Sequence, residues 1–250
     1  MYQLTDKVAL VVGASKGIGA AIAEELAKCG AKVVLASRNV ELTKQVADRL
    51  AEAGHEVRAV HADLSDQRSL EQAVAHAVSE FGRLDVAVNN GAESLPSTEF
   101  HDVAIGDLDK LMAANLRGVF IAMQYQVRAM LQSGGGSIVN IGSVASLIGV
   151  RGRSVYTATK HGLSGLTKSV ALEYGSRHIR ANVVAPGPII TEKMMTYMSP
   201  EGRAEVTASV AMARMGEAHE VATATAWLCS DASSYVTGVT LPVDGGMVAG

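Results

Sequence analysis

The chain has 250 residues, enough for one large α/β domain or, less readily, two small ones. Apolar residues make up 48% and aromatics only 4%, so aliphatic side chains must fill the core, as in a sheet covered by helices. A formal charge of −3 with no lysine–arginine cluster argues against a nucleic-acid track, and no nucleic-acid partner is expected.

Short β-branched runs alternate with longer helical patterns. VALVV (8–12) precedes the helix-like IGAAIAEELAKCG, and KVVLAS (32–37) precedes ELTKQVADRLAEAG, whose apolar residues recur at helical spacing. EVRAVHAD leads to SDQRSLEQAVAHAVSEFG, with Ser65 or Asp66 as a plausible helix cap. LDVAVNN (84–90) is a fourth strand, followed by a helix from about Asp107 to Leu131. GGGSIVNIGS (134–143) turns into a fifth strand, and SVYTATKHGLSGLTKSVALEYG makes a long helix ending at Gly175. HIRANVVAPG is a sixth strand and GVTLPVDGG (238–246) a seventh. This rhythm predicts one α/β domain over 1–250, with a parallel sheet and helices on both faces.

Residues 186–216 break the rhythm. They open with two prolines and hold five of the ten methionines. A long insertion in a compact α/β domain suits a lid or binding loop. The start, MYQLTDKVALVVGAS, has no basic segment or cleavage pattern, and no apolar run approaches the ~18 residues that span a bilayer. Cys29 and Cys229 have no CxxC or ligand spacing and read as small buried hydrophobes in a reducing compartment. A cytoplasmic protein with no membrane partner and no metal site is expected.

VVGASKGIG places Gly13, Gly17 and Gly19 between the first strand and the first helix. Such glycines permit a tight turn and let backbone N–H groups approach a pyrophosphate at the helix N-terminus. Enzymes that prefer NAD usually end the second strand in a carboxylate that binds the ribose 2′-hydroxyl. Here the chain reads Ala36-Ser37-Arg38-Asn39, and Lys16 in the glycine turn adds a second cation. Two cations and a hydroxyl suit a 2′-phosphate, so NADP(H) is the expected cofactor. The alternative is that Lys16 and Arg38 are solvated surface charges.

The stretch SVYTATKHG (154–162) holds Tyr156 and Lys160 four positions apart, on one helix face, with only small residues between them. With the glycine turn, Asn89-Asn90, Ser143 and Pro186-Gly187, this order of motifs closely resembles the short-chain dehydrogenase/reductase family over essentially the whole chain. The resemblance implies a Rossmann-type doubly wound sheet of seven parallel strands in the order 3-2-1-4-5-6-7, and a homotetramer.

It also implies roles. Tyr156 would donate a proton to the alkoxide that hydride transfer leaves, with Lys160 lowering the pKa of its phenol. Ser143 would hold the carbonyl oxygen where charge develops. Lys160, like Tyr156, would also bind the nicotinamide ribose. Asn115 would hold a water on the proton path to Lys160, or else serve as a local kink residue. Ser15, Ile18 and Leu64 belong to the implied cofactor set. Asp63 would bond the adenine amine or cap the next helix, and Asn89 would lie beside the adenine ribose. Pro186, Gly187, Ile189 and Thr191 would clasp the nicotinamide end.

One departure is the order Gly91-Ala92, which exchanges the last two residues of the family's NNAG. Either the turn is rebuilt or Ala92 sits strained in a glycine position. Glu93 reads as a solvent-facing acid, His161 as a packing or interface residue, and Arg151 and Arg153 as solvated. Met194, Met195, Tyr197 and Met198, with Leu147, Ile148 and Val150, would line an apolar pocket or pack a cap or interface. The expected function is NADPH-dependent reduction of an apolar ketone or 3-oxoacyl small molecule. The alternatives are an alcohol, sugar or steroid dehydrogenase working in oxidation, or a catalytically silent NADP-sensing protein.

Overall fold

VALVV forms β1 (Val8–Val12) and is buried along its whole length. It pairs with a parallel strand on each side and is covered on both faces, the setting that favours an unbroken aliphatic run. In this computed structural model, which describes residues 2–249 apart from the side chains of Lys193 and Tyr197, α1 (Gly17–Lys28), β2 (Lys32–Ser37), α2 (Val40–Glu52), β3 (Val57–His61), α3 (Gln67–Phe81) and β4 (Val86–Asn89) follow. Next come α4 (Ile105–Met112), α5 (Val119–Ser133), β5 (Gly136–Ile141), α6 (Ser154–Tyr174) and β6 (Ile179–Pro186). The chain closes with β7 (Ile189–Ile190), α7 (Glu192–Tyr197), α8 (Pro200–Ala208), β8 (Gly216–Glu217), α9 (Ala218–Cys229) and β9 (Thr240–Val243).

The main sheet has seven parallel strands in the order β3-β2-β1-β4-β5-β6-β9, the order expected once the small β7–β8 ladder is set aside. Alternation along each strand divides the core in two. Ala9, Val11, Val33 and Leu35 meet Ile22 and Leu26 of α1 and Val221 of α9 on one face. Val8, Leu10 and Val34 meet Leu70 of α3, Met123 of α5 and Leu163 of α6 on the other. Among the described residues, no helix is long and apolar enough to cross a membrane.

Three local expectations change. The helix expected from about Asp107 to Leu131 is α4 and α5 joined by a π-helical turn at Ala113–Gly118. A π turn inserts one residue into the helical ladder, a distortion common at functional sites. Of the two candidate caps for α3, Asp66 is the one used: its Oδ1 accepts the Arg68 N–H at 2.9 Å. The 186–216 segment carries two short helices, α7 and α8, and its base is pinned where Ile189 pairs with Gly216.

Candidate active site

The order of strands turns about between β1 and β4, and a crevice opens there outside the carboxyl ends of the strands. Its volume is about 690 Å³. Gly13, Ser15, Lys16, Gly17, Ile18, Ser37, Arg38, Asp63, Leu64 and Thr191, all expected at a cofactor site, line it. Gly13 has φ +85°, and a Cβ there would meet the Gly91 nitrogen at 2.5 Å. The turn after β1 therefore lies directly on the turn after β4.

This contact settles the exchanged Gly91-Ala92 pair. Gly91 takes the crowded place, where a Cβ would meet Leu64 Cδ1 at 2.8 Å. Ala92 is exposed and is absent from the described non-glycine residues with positive φ, so it carries no such strain. Asn90 secures the arrangement by donating from Nδ2 to the Gly13 carbonyl at 2.9 Å.

Lys16 stands at the N-cap of α1 without a side-chain capping bond, and makes no ion pair among the described residues. An unpaired cation beside a helix N-terminus, glycines that admit backbone to close range and a long cleft fit a pyrophosphate-bearing dinucleotide. Ser37 also lines the cleft, but its Oγ is 2.6 Å from Thr43 Oγ1 and bonds the backbone of Asn39. Asp63 accepts from the Ser65 N–H at 2.8 Å and the Ser65 hydroxyl at 2.7 Å, tying its own turn instead of capping α3. Burial alone would raise its carboxyl pKa, but these bonds, with Arg38 and His61 nearby, hold it below the usual value.

Several expectations are corrected. Asn89 does not face the cleft. It is buried, donating to Asn140 Oδ1 at 2.8 Å and exchanging amide hydrogen bonds with Gln126 at 3.1 and 2.8 Å. Asn90, one step past the strand, faces the cleft instead; alternation places neighbours on opposite sides, and the doublet alone does not say which. Glu93 is not a solvent-facing acid. Its Oε1 lies 2.7 Å from Arg38 Nη2, and its side chain is 23% exposed. Gly19, where a Cβ would strike the Gly13 carbonyl, shapes the glycine turn, and Ile189 is buried in the core; neither they nor Pro186 and Gly187 line this cleft, which leaves their expected cofactor roles as proposals. Arg153 is part-buried and donates to the Leu95 carbonyl, whereas Arg151 is exposed as expected. His161 is exposed, its Nδ1 3.1 Å from the Thr157 carbonyl oxygen.

Of the expected catalytic set, Ser143, Tyr156 and Lys160 gather where β5 ends and α6 begins. Ser143 follows β5 and caps a short turn, accepting the Ala145 N–H at 3.2 Å. Its hydroxyl lies near the phenol of Tyr156 and acts to lower that group's pKa. Lys160 Nζ lies 5.6 Å from the centre of the Tyr156 ring and donates to the Ile141 carbonyl at 2.9 Å. Burial pushes its pKa down to about 8.

The resting phenol does not behave as expected. Burial pushes the Tyr156 pKa up, and this outweighs the lowering by the Ser143 hydroxyl and the Arg153 charge. The lysine is itself desolvated and committed to a carbonyl, so the phenol at rest is firmly protonated. Asn115 sits in the π turn at 1% exposure. Its Oδ1 accepts the Glu93 N–H at 2.7 Å and its Nδ2 donates to the Glu93 carbonyl at 2.9 Å. These two bonds use one lone pair and one N–H of the amide, which leaves a second acceptor and a second donor position on the same side chain.

Exposed Leu147, Ile148 and Val150 flank Ser143, and exposed Met195 lies on α7. The Tyr197 side chain lies outside the described residues. Thr191 caps α7 by accepting the Met194 N–H at 3.2 Å. The described residues bring one set of metal-ligand side chains together, Glu99, His101 and Asp102; all are exposed and none lines the cleft.

A family model described as enoyl-(acyl carrier protein) reductase matches residues 13–248. The chain is 39% identical over 246 residues to the A-factor type gamma-butyrolactone 1′-reductase (1S-forming) of Streptomyces virginiae, covering 97% of this chain and 96% of that one. It is also 39% identical to the 3-oxoacyl-(acyl-carrier-protein) reductase of Salmonella typhimurium, covering 96% and 97%. A structure from Beutenbergia cavernae, solved with NADP bound at low occupancy and provisionally described as an NAD(P)-dependent gluconate 5-dehydrogenase, superposes with a TM-score of 0.93. That structure is 35% identical, with 99% of each chain covered.

Proposed function

The chain belongs to the short-chain dehydrogenase/reductase family, an oxidoreductase family acting on CH–OH and C=O groups of small molecules, and from that premise we propose that it reduces a ketone or 3-oxoacyl substrate with NADPH. The observation that carries this reading is the buried Lys160 ammonium, held by the Ile141 carbonyl and 5.6 Å from the centre of the Tyr156 ring, at the strand end that carries Ser143.

NADPH held by the glycine turn, Lys16 and Arg38 would supply hydride chemistry at the carbonyl carbon, and this chain supplies the proton. Ser143 and Tyr156 direct their hydroxyls at the carbonyl oxygen, stabilising the charge that grows there. Tyr156 gives its phenolic proton to that oxygen and is left as tyrosinate. The Lys160 ammonium, 5.6 Å from the centre of the ring, favours that anion, because a nearby opposite charge stabilises the charged form. The cation thus acts on the product of proton transfer, even though the resting phenol is held protonated by burial. Its pKa of about 8 lets Lys160 release a proton to restore Tyr156. Asn115 positions the wall of the cleft by fixing the backbone of Glu93.

Lys16 and Arg38 would meet the 2′-phosphate, and the 186–216 segment would close over substrate, its methionines beside Leu147 and Ile148. An oxidation-directed alcohol or sugar dehydrogenase is the second reading, favoured by the fold shared with the gluconate dehydrogenase-like structure. Turnover of a carbonyl panel with NADPH against NADH, then of the matching alcohols with NADP and NAD, separates the two. Faster reduction with NADPH supports the first; turnover only in oxidation supports the second.

A further inference from the structure

Arg38 follows β2, the glycine turn follows β1 and Glu93 lies beyond β4. The sheet order is β2-β1-β4, so the Arg38–Glu93 ion pair reaches across the end of β1, over the glycine turn. At about 4.8 Å between neighbouring strands, it bridges two cleft walls about 10 Å apart.

Its two ends differ. Asn115 grips the Glu93 peptide at both its N–H and its carbonyl, so the carboxylate is presented from a fixed point. Arg38 is 63% exposed and reaches in from the opposite loop. Lys16 and Lys110, the other cations lining the cleft, make no ion pair among the described residues. Arg38 alone among them is already engaged.

We propose that Glu93 is a specificity-determining residue: by holding Arg38 across the cleft it competes with a ribose 2′-phosphate, and so sets how strongly NADP(H) is favoured over NAD(H). The proposal rests on the NADP reading above. A doubly charged phosphate out-competes one carboxylate for a guanidinium, but its affinity is reduced by the strength of the pair it displaces. A partly exposed ion pair reduces affinity by up to about fivefold. NAD(H) has no 2′-phosphate and leaves the pair intact, so the pair narrows discrimination between the two cofactors.

The test is fluorescence titration of NADPH and NADH into wild-type, Glu93→Gln, Arg38→Met and the double variant. Glu93→Gln keeps the side-chain size and the peptide that Asn115 holds. It is expected to lower the Kd for NADPH by about threefold to fivefold and leave that for NADH unchanged. The gain should vanish in the Arg38→Met background, as a cycle of coupled residues requires. No change with NADPH, equal tightening of both cofactors, or a gain that survives Arg38→Met overturns the proposal. If wild-type protein binds NADH more tightly, the cofactor reading fails by itself. The pair is then judged with fragments: tightening of 2′,5′-ADP but not 5′-AMP in Glu93→Gln upholds it, and any other result overturns it.

Discussion

The ammonium of Lys160 donates to the main-chain carbonyl of Ile141 at 2.9 Å, from a side chain only 3% exposed. A cation from the second turn of α6 is thereby fixed to the end of β5, beside the strand exit that carries Ser143. Burial lowers its pKa from 10.5 to about 8.

That depression has a cost in stability whose sign can be worked out. Below pH 8 both folded and unfolded chains carry the proton, and burying the charge destabilises the fold by about 3 kcal/mol. Between pH 8 and 10.5 the unfolded chain binds more protons, so stability from this group rises with pH. Urea titrations at several pH values should show wild-type protein gaining on Lys160→Met across this window, by up to about 3 kcal/mol. A difference independent of pH would contradict the burial of a charged lysine.

The same titration should appear in catalysis. Once neutral, Lys160 no longer stabilises tyrosinate, so kcat for carbonyl reduction should fall as pH rises through about 8. Pre-steady-state reduction over pH 6 to about 10 would read this limb directly, free of product release.

Asn89 should matter to folding more than to cofactor affinity. Asn89→Ala leaves Gln126 and Asn140 with buried, unpaired amide groups, a loss of about 2–4 kcal/mol. Denaturant unfolding should register that loss, while the Kd for NADPH in the surviving folded fraction stays close to wild type.

Burial pushes the Cys229 thiol up to about 12 and that of Cys29 above its usual value. Both cysteines should therefore resist iodoacetamide in the native protein at pH 8 and label readily in urea, as mass spectrometry would show.

The alternation of aliphatic strands with helices was legible because each buried strand writes a continuous run into the chain, as in VALVV and KVVLAS. The glycine turn and the Tyr156–Lys160 spacing were legible because one turn and one helix face carry them. What the sequence did not disclose are pairings between distant segments. Glu93 meets Arg38, and Arg153 acts on Tyr156, only after loops from different strands converge. The face taken by Asn89 depends on where β4 ends, and AANLRG contains no proline, while its one glycine does not by itself announce a π turn. Burial also overturned the electrostatic expectation for Tyr156: the short spacing to Lys160 revealed the nearby charge, not the desolvation opposing it.

The most direct test is single-turnover reduction of an active ketone by the Tyr156→Phe protein preloaded with NADPH. Losing the phenolic proton while keeping the ring should slow the chemical step by about 10²–10⁴-fold, with NADPH still bound. Near-normal turnover by that variant would show that the proton comes from elsewhere.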